Sequence, residues 1–201
     1  MKVLVRQAMR RFGVDLPPDE WGPDGRVKFL ESVLPKGGVG AEIGVHKGRF
    51  TPVLLAIAKP RKLHIMDPWY HLGREWNWGA GDRSTVNALT RIMKRLEAEL
   101  ADGSVVLHIG DDLEILPGFE AGYFDWMYFD TTHTYEQTVK ELALAARLIK
   151  PEGIICGDDW RDDLSHPHYG VRKAVEEFCA AGDFWPVYSS ATDRQWAIRR
   201  E

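Results

Sequence analysis

Two adjacent aspartates near the last third of the chain are the first candidates for chemistry. Asp158 and Asp159 follow an apolar run in the stretch IICGDDW, at residues 154–160. Successive side chains of a strand point to opposite faces, so neighbouring carboxylates share a site only if the strand ends there. Adjacent Asp residues are also common in turns and at helix N-termini. The pair therefore predicts either a turn or a cation site, because a cation would relieve the repulsion between the two charges.

Acidic residues also stand at the ends of most other predicted strands. Short apolar runs predict five strands, at residues 39–44, 62–67, 104–110, 123–130 and 153–158. Four of them end at or next to an acid, and the first ends in a glycine: Gly44, Asp67, Asp111, Asp130 and Asp158. Ligands of open parallel sheets bind outside the carboxyl ends of the strands, so we expect these residues to line one rim.

The segments between these strands have helical periodicity. Helices are predicted at 2–12, 27–34, 49–60, 82–103, 134–153 and 170–182, and a final hairpin of strands at 184–200. Helices of this length between strands predict crossover connections, and hence an α/β fold with a doubly wound, mostly parallel sheet and helices on both faces. We predict one domain, residues 1–201, with a helical N-terminal cap at 1–36 and the core at 37–201.

The composition is that of a soluble globular protein and excludes several classes of function. A net charge of −4 does not suit a broad nucleic-acid surface. Two cysteines, Cys156 and Cys179, are too few for a disulfide scaffold or a Cys-rich zinc site and suit a reducing cytosol. Since no apolar run approaches membrane-spanning length, we predict a cytoplasmic protein without membrane or nucleic-acid partners.

The turn after the first predicted strand is typical of a ligand-binding loop. The stretch AEIGVHKGRF contains Glu42, Gly44 and Gly48, and glycine permits both a tight turn and a close backbone approach to a ligand. The spacing is E-x-G-x-x-x-G rather than G-x-G-x-x-G, which speaks against NAD or FAD. Asp67 ends the next strand, where an acid can accept hydrogen bonds from ribose hydroxyls or form an Asx-turn before Pro68.

A set of ordered blocks makes the chain resemble a known family. EIGVHKG, LHIMD, LHIGDD, the long block from FDWMYFD to GIICGDDW, and GVRKAVEEF resemble the class I S-adenosylmethionine-dependent methyltransferases over residues 39–199. The chain is most similar to their small metal-assisted O-methyltransferases, including catechol-type and macrolide-sugar enzymes. The resemblance implies a Rossmann-like sheet of about seven strands whose last strand is antiparallel.

The resemblance also implies where S-adenosylmethionine would bind. Glu42, Gly44 and Gly48 would contact its methionine part, and Asp67 its ribose. Asp111 or Asp112, in the sequence GDD at 110–112, would lie near the adenine amino group. An Asp at that turn can equally be a helix N-cap.

In the metal-assisted relatives, acids at the ends of the fourth and fifth strands bind Mg²⁺, and the matching residues here are Asp130, Asp158 and Asp159. Such an ion would lower the proton affinity of a bound hydroxyl. His133 stands where catechol-type relatives have a lysine general base. With Asp130 it is our predicted catalytic pair, although His133 could instead cap the following helix or act as an outer ligand.

Candidate substrate contacts come from two loops and one strand end. The long segment 68–82 contains Trp76 and Trp78, and its residues 70–80 predict a lid, although Trp69 could simply pack on the outside helix of the domain. His166 and His168 form an H-x-H pair without a third zinc ligand nearby, so we treat them as substrate-loop residues. Trp160 follows the paired aspartates and is expected where a substrate would pass.

The predicted function is transfer of a methyl group from S-adenosylmethionine, assisted by Mg²⁺, to a hydroxyl of a small sugar, aromatic or natural-product-like acceptor. A homodimer is compatible with this prediction. A metal-independent methyltransferase of the same fold is the main alternative. An NAD-type Rossmann oxidoreductase and a non-catalytic S-adenosylmethionine-binding module are further alternatives.

Overall fold

The structure is a computed structural model that describes residues 25–70 and 84–200. The predicted helix at 2–12, with most of the N-terminal cap, lies outside the described residues. So do Trp76 and Trp78 and most of the predicted lid. Within the described ranges, no helix has the length and apolarity needed to cross a membrane.

Helices and strands alternate along the described chain, as predicted. The helices are α1 (Gly25–Val33), α2 (Thr51–Ala58), α3 (Ser84–Arg95), α4 (Glu97–Ala101), α5 (Asp112–Ile115), α6 (Tyr135–Leu148) and α7 (Tyr169–Ala181). The strands are β1 (Val39–Ile43), β2 (Lys62–Asp67), β3 (Val105–Ile109), β4 (Phe124–Phe129), β5 (Ile149–Gly157), β6 (Phe184–Ser190) and β7 (Gln195–Arg200).

Among the described residues the strands form one seven-stranded sheet, in the order β3-β2-β1-β4-β5-β7-β6. Strands β1 to β5 pair in parallel, and β7 runs antiparallel to both β5 and β6. The predicted doubly wound sheet with an antiparallel last strand is confirmed. The direction of strand addition reverses between β1 and β4, and such a switch point opens a crevice for a ligand at the carboxyl ends of these strands.

The central strands are buried on both faces, which explains their nearly continuous apolar sequences. In β4, Trp126 and Tyr128 belong to one apolar cluster, with Phe29 of α1. Met127 and Phe129 belong to the second cluster, with Leu142 of α6. The side chains of one strand therefore fill both cores, and both faces of the sheet hold the ends of β1, β4 and β5 in place.

Several boundaries differ from the sequence prediction, and the helix predicted at 134–153 ends at Leu148 because β5 begins at the next residue. The helix predicted at 82–103 is divided into α3 and α4, and the four-residue helix α5 was not predicted. Strand β5 begins at Ile149, although the turn-like sequence KPEG at 150–153 predicts a later start. The pairing register shifts between Phe124 and Trp126, and this irregularity accommodates the extra residues of β5.

Candidate active site

The ends of β4 and β5 place two of the predicted acids next to each other. The backbone N–H of Asp130 donates to the carbonyl of Ile43 at the end of β1, over 2.8 Å. The N–H of Asp158 donates in the same way to the carbonyl of Phe129, over 3.0 Å. Asp130 and Asp158 therefore continue neighbouring strands at one rim of the sheet.

Asp159 reaches the same rim because the backbone turns after Asp158. Its φ of 61° is left-handed, a conformation that Asp tolerates better than most residues. The carboxylate then lies 3.5 Å from Nε2 of His133, measured from Oδ2. The same nitrogen lies 3.2 Å from Oδ1 of Asp130. The paired aspartates thus belong to one site, and His133 links them to the end of β4.

A cation that the sequence reasoning missed lies among these acids. Arg26 of α1 donates from Nη2 to Oδ2 of Asp130 over 3.0 Å, and its Nη1 lies 3.4 Å from Oδ2 of Asp158. The guanidinium carbon also lies 3.9 Å from the ring centre of Phe50. Only 9% of the Arg26 side chain is exposed. The local sequence GRVKFL gives no sign of this role, because α1 meets the rim only through the tertiary fold.

Arg26 is part of a closed set of three hydrogen bonds and one ion pair beneath the rim. It donates to the hydroxyl of Tyr128, which donates to Oε1 of Gln195 over 2.9 Å. The amide nitrogen of Gln195 donates to Oδ1 of Asp158, which faces Arg26 through its other oxygen. Tyr128 and Gln195 are fully buried, so their mutual hydrogen bond satisfies groups that would be costly to leave unpaired.

The loop after β5 supplies further nitrogen groups to Asp159. Arg161 donates to its Oδ1, and Nδ1 of His168 lies 2.7 Å from its Oδ2. The N–H of His168 donates to Nδ1 of His166 over 3.1 Å. The structure therefore brings both predicted loop histidines to the rim, and their contact with a substrate stays a prediction.

The pKa values at the rim follow from burial and from these partners. Burial works to raise the pKa of Asp130, but the hydrogen bond from His133 and the charge of Arg26 lower it overall. Burial works to lower the pKa of His133, and the hydrogen bond to Asp130 raises it overall. The pKa of Asp158 is raised, because its burial outweighs the attraction of Arg26. Asp130 and His133 thus favour their charged forms together.

The rim residues do not fit the Mg²⁺ site that the sequence predicted. Each of the six carboxylate oxygens of Asp130, Asp158 and Asp159 already lies within 3.5 Å of a nitrogen of Arg26, His133, Arg161, His168 or Gln195. Over residues 25–70 and 84–200, no cluster of His, Cys, Asp and Glu is arranged to hold a metal ion. The Mg²⁺ expectation is therefore not supported, because a guanidinium stands where the ion would have to bind.

The loop after β1 is held tightly against the end of β4. Gly44 has a φ of 85°, and a Cβ there would lie 1.9 Å from the carbonyl oxygen of Asp130. Gly48 has a φ of 59°, and its Cβ would meet the side chain of Ile92 at 1.6 Å. Both glycines are thus required by the fold itself, and a ligand is not needed to explain them.

Asp67 orients this loop from the end of β2. Its Oδ2 accepts hydrogen bonds from the N–H groups of Val45 and His46, over 2.9 and 2.8 Å. The indole N–H of Trp69 donates to the carbonyl of His46 over 2.7 Å. The loop is therefore preorganised by residues of the next strand, and the predicted contact of Asp67 with a ribose stays a prediction.

Glu42 offers a buried acceptor near the carboxyl end of β1. Its side chain is 1% exposed, and none of the described residues donates a hydrogen bond to its Oε2. Burial raises the pKa of Glu42 to about 8. A buried acceptor without a donor is costly, and an ammonium group of a ligand would satisfy it. Glu42 thus fits the predicted contact with the methionine part of S-adenosylmethionine.

The two aspartates after β3 have different surroundings. Asp111 is the N-cap of α5, and its Oδ1 accepts from the N–H of Leu113 over 2.9 Å. Asp112 is buried and accepts from the side-chain amide of Gln137 over 3.2 and 3.3 Å. Burial and the nearby Glu141 raise the pKa of Asp112 to about 8. The capping alternative is observed for Asp111, and the predicted contact of either aspartate with adenine stays a prediction.

Trp160 lies in a different environment from the one expected. Its side chain is 7% exposed and packs within the apolar cluster that contains Val171 of α7. The guanidinium carbon of Arg172 lies 5.5 Å from the Trp160 ring centre. Little of the ring remains for a passing substrate, because its apolar surface is used to hold α7 against the sheet.

A methyltransferase-domain family matches residues 41–160, which include Glu42, the loop after β1 and the acids of the rim. The chain belongs to this methyltransferase family. No curated protein sequence matches this methyltransferase.

The fold of the methyltransferase is similar to several solved structures. A protein described as an rRNA methylase from Clostridium thermocellum is 13% identical, with a TM-score of 0.61 over 87% of this chain and 95% of its own. One described as an O-methyltransferase from Klebsiella pneumoniae is 17% identical, with a TM-score of 0.60 over 98% and 87%. The SAH-bound methyltransferase PaMTH1 from Podospora anserina is 13% identical, with a TM-score of 0.60 over 98% and 88%. At these identities the likeness shows the class I methyltransferase fold, and the acceptor must be inferred from the site.

Proposed function

We propose that the protein transfers the methyl group of S-adenosylmethionine to a hydroxyl of a small molecule. The observation that carries this proposal is His133, a base held between two carboxylates at the switch point of the sheet. Mg²⁺ is left out of the proposal, because the oxygens that would bind it are engaged by nitrogen groups of the protein.

The residues around β1 would hold the methyl donor. Glu42 would accept a hydrogen bond from the donor's ammonium group, since its Oε2 is buried and has no donor among the described residues. The loop from Gly44 to Gly48, kept in place by Asp67, would let the donor approach the backbone closely. Bound S-adenosylmethionine supplies an electrophilic methyl group on a sulfonium.

His133 would remove the proton of the acceptor hydroxyl, which is a weak nucleophile while protonated. The carboxylates of Asp130 and Asp159 would stabilise the imidazolium that forms. Asp130 has a side chain 29% exposed, so it can also accept a hydrogen bond from the acceptor and orient it. The raised pKa makes neutral His133 a stronger base, and the step requires a pH above that raised pKa, because only the neutral imidazole can take the proton.

The charge of the chain favours a small acceptor over RNA. A protein that binds RNA through phosphates needs a positive surface, and the net charge here is −4. His166 and His168 overhang the rim and are candidates for contact with the polar groups of a sugar or an aromatic acceptor. The two free cysteines agree with action in the cytoplasm, and a homodimer remains part of the proposal.

Calorimetry with S-adenosylhomocysteine tests the first half of this proposal, and transfer of a labelled methyl group to a panel of catechols and sugars tests the second. We expect binding by the wild-type protein and transfer to at least one hydroxylated acceptor. Failure of the folded wild-type protein to bind S-adenosylhomocysteine would sink the proposal. If the protein binds S-adenosylhomocysteine but transfers methyl groups only to nitrogen or carbon acceptors, the proposed donor site would stand. The proposed hydroxyl acceptor would then be wrong.

A further inference from the structure

Three carboxylates at one rim need positive charge close by. Asp130, Asp158 and Asp159 follow the ends of two adjacent strands, and their side chains are 29%, 17% and 11% exposed. Water therefore solvates them only in part, and their mutual repulsion would otherwise force some of them to take up protons. The metal-assisted methyltransferases that the chain resembles relieve this repulsion with a divalent ion. The rim residues here do not fit such an ion.

Arg26 is built into the place that such a cation would occupy. Its two terminal nitrogens face different carboxylates, Asp130 at 3.0 Å and Asp158 at 3.4 Å. One guanidinium thereby bridges the ends of β4 and β5, as a metal ion shared by both strands would. A divalent ion at the same oxygens would meet a second positive charge at van der Waals distance, so the two cations exclude each other.

The guanidinium is also fixed in position before any ligand binds. It lies over the ring of Phe50 at 3.9 Å and donates to the buried hydroxyl of Tyr128. The rigid planar fork of arginine can stack on a ring and donate to several partners at once, which the compact, strongly hydrated ammonium of lysine does less well. The position is therefore specific for arginine, and its charge is available without ordering a flexible side chain.

We infer that Arg26 is the resident cation of this active site and that the methyltransferase works without a divalent metal ion. Arg26 acts as a positioning residue: it holds Asp130 and Asp158 together at the rim, and Asp130 in turn contacts His133. The part of this inference that concerns turnover rests on the proposed function. The part that concerns metal binding does not, and the experiment separates the two.

Electron paramagnetic resonance of Mn²⁺, a probe of Mg²⁺ sites, tests the wild-type protein directly. We expect the signal of free Mn²⁺ to be unchanged by wild-type protein and methyl transfer to be equal in EDTA and in Mg²⁺. Wild-type binding of Mn²⁺ that disappears in Asp158→Asn would overturn the inference, as would transfer that requires Mg²⁺. Absence of transfer under both conditions would instead count against the proposed function, and the Mn²⁺ result would still decide the role of Arg26.

Substitution of Arg26 gives a second test of the inference. Arg26→Met keeps most of the apolar stem and removes the charge, so we expect a thermal midpoint roughly 10 °C lower at neutral pH. We also expect Mn²⁺ binding to appear in this variant and to be lost again in Arg26→Met with Asp158→Asn, because the freed carboxylates then need another cation. Arg26→Lys should recover part of the stability and exclude Mn²⁺.

Lys150→Met is the matched control, because it removes a cation that pairs with Asp125 away from the rim. The Lys150→Met protein should not bind Mn²⁺, and its thermal midpoint should not fall as far as that of Arg26→Met. A folded Arg26→Met protein with wild-type stability and no affinity for Mn²⁺ would contradict the inference. If Arg26→Met does not fold, the wild-type Mn²⁺ measurement remains decisive by itself.

Discussion

His133 and Asp130 form an acid–base pair at the end of β4, with Nε2 of the imidazole 3.2 Å from Oδ1 of the carboxylate. If this pair removes the acceptor proton, His133→Asn should lower kcat by roughly 10²-fold or more while S-adenosylhomocysteine binds as before. Steady-state kinetics and calorimetry on the same preparation measure both quantities. An unchanged kcat would exclude His133 as the base, and a loss of binding would point to a structural role.

Glu42 leads to a prediction about the donor. Glu42→Gln keeps the shape and removes the charge, so S-adenosylhomocysteine should bind roughly 10- to 100-fold more weakly. The pKa of about 8 adds a second signature, because an ammonium group would ionise a carboxyl that is largely protonated at pH 7. Binding should then release protons, measured as a dependence of the binding enthalpy on the buffer. The dependence on the buffer should vanish in Glu42→Gln. Equal proton release by both proteins would show that the proton comes from a group other than Glu42.

The contact between buried His64 and half-buried His108 predicts how stability depends on pH. Nδ1 of His64 lies 2.8 Å from Nε2 of His108, and burial followed by the charge of His108 lowers the pKa of His64 to about 4. Between about pH 4 and 6.5 the unfolded chain therefore binds a proton that the folded chain does not. The free energy of unfolding should fall as the pH falls through this window. Thermal unfolding from pH 4.5 to 7.5 measures the slope, which should be shallower in His64→Gln; an equal slope would refute the assignment.

Gly44 gives a test of the loop after β1. In Gly44→Ala the new Cβ would meet the carbonyl oxygen of Asp130 at 1.9 Å, at a φ of 85°. The left-handed backbone alone costs about 1–2 kcal/mol in a non-glycine residue, and the backbone contact adds to it. We expect a lower thermal midpoint and weaker binding of S-adenosylhomocysteine. Gly118→Ala is the control, because none of the described residues lies within 4 Å of its Cβ, and a similar loss there would show that the effect is not local.

The parts of this fold that the sequence predicts are those set by local patterns. Strand β2 begins at Lys62 and ends at Asp67 as expected, because a short apolar run is bounded by polar residues on both sides. The meeting of Asp130 and Asp158 at one rim could be predicted as well. It requires only that their strands be parallel neighbours, which the intervening helix implies.

The parts that escaped prediction depend on contacts between distant segments. Arg26 precedes Asp158 by more than a hundred residues, and Gln195 follows it by 37. Neither residue lies in a recognisable motif. Trp160 was assigned to substrate because it follows the acids, and the position of α7 determines that it is buried instead. The Mg²⁺ prediction is not supported for the same reason, since the acidic ligands are visible in the sequence and the competing guanidinium is not.

The hydrogen bonds and the ion pair that join Arg26, Tyr128, Gln195 and Asp158 also set an order of events during synthesis. Residues 41–160 carry the family match, but Arg26 precedes them and Gln195 begins the last strand. A growing chain can therefore contain Arg26 and every acid of the rim while Asp158 and Tyr128 still lack Gln195. Until β7 inserts between β5 and β6, Gln195 cannot reach Asp158 and Tyr128, so this set of contacts should form in a single step when β7 docks.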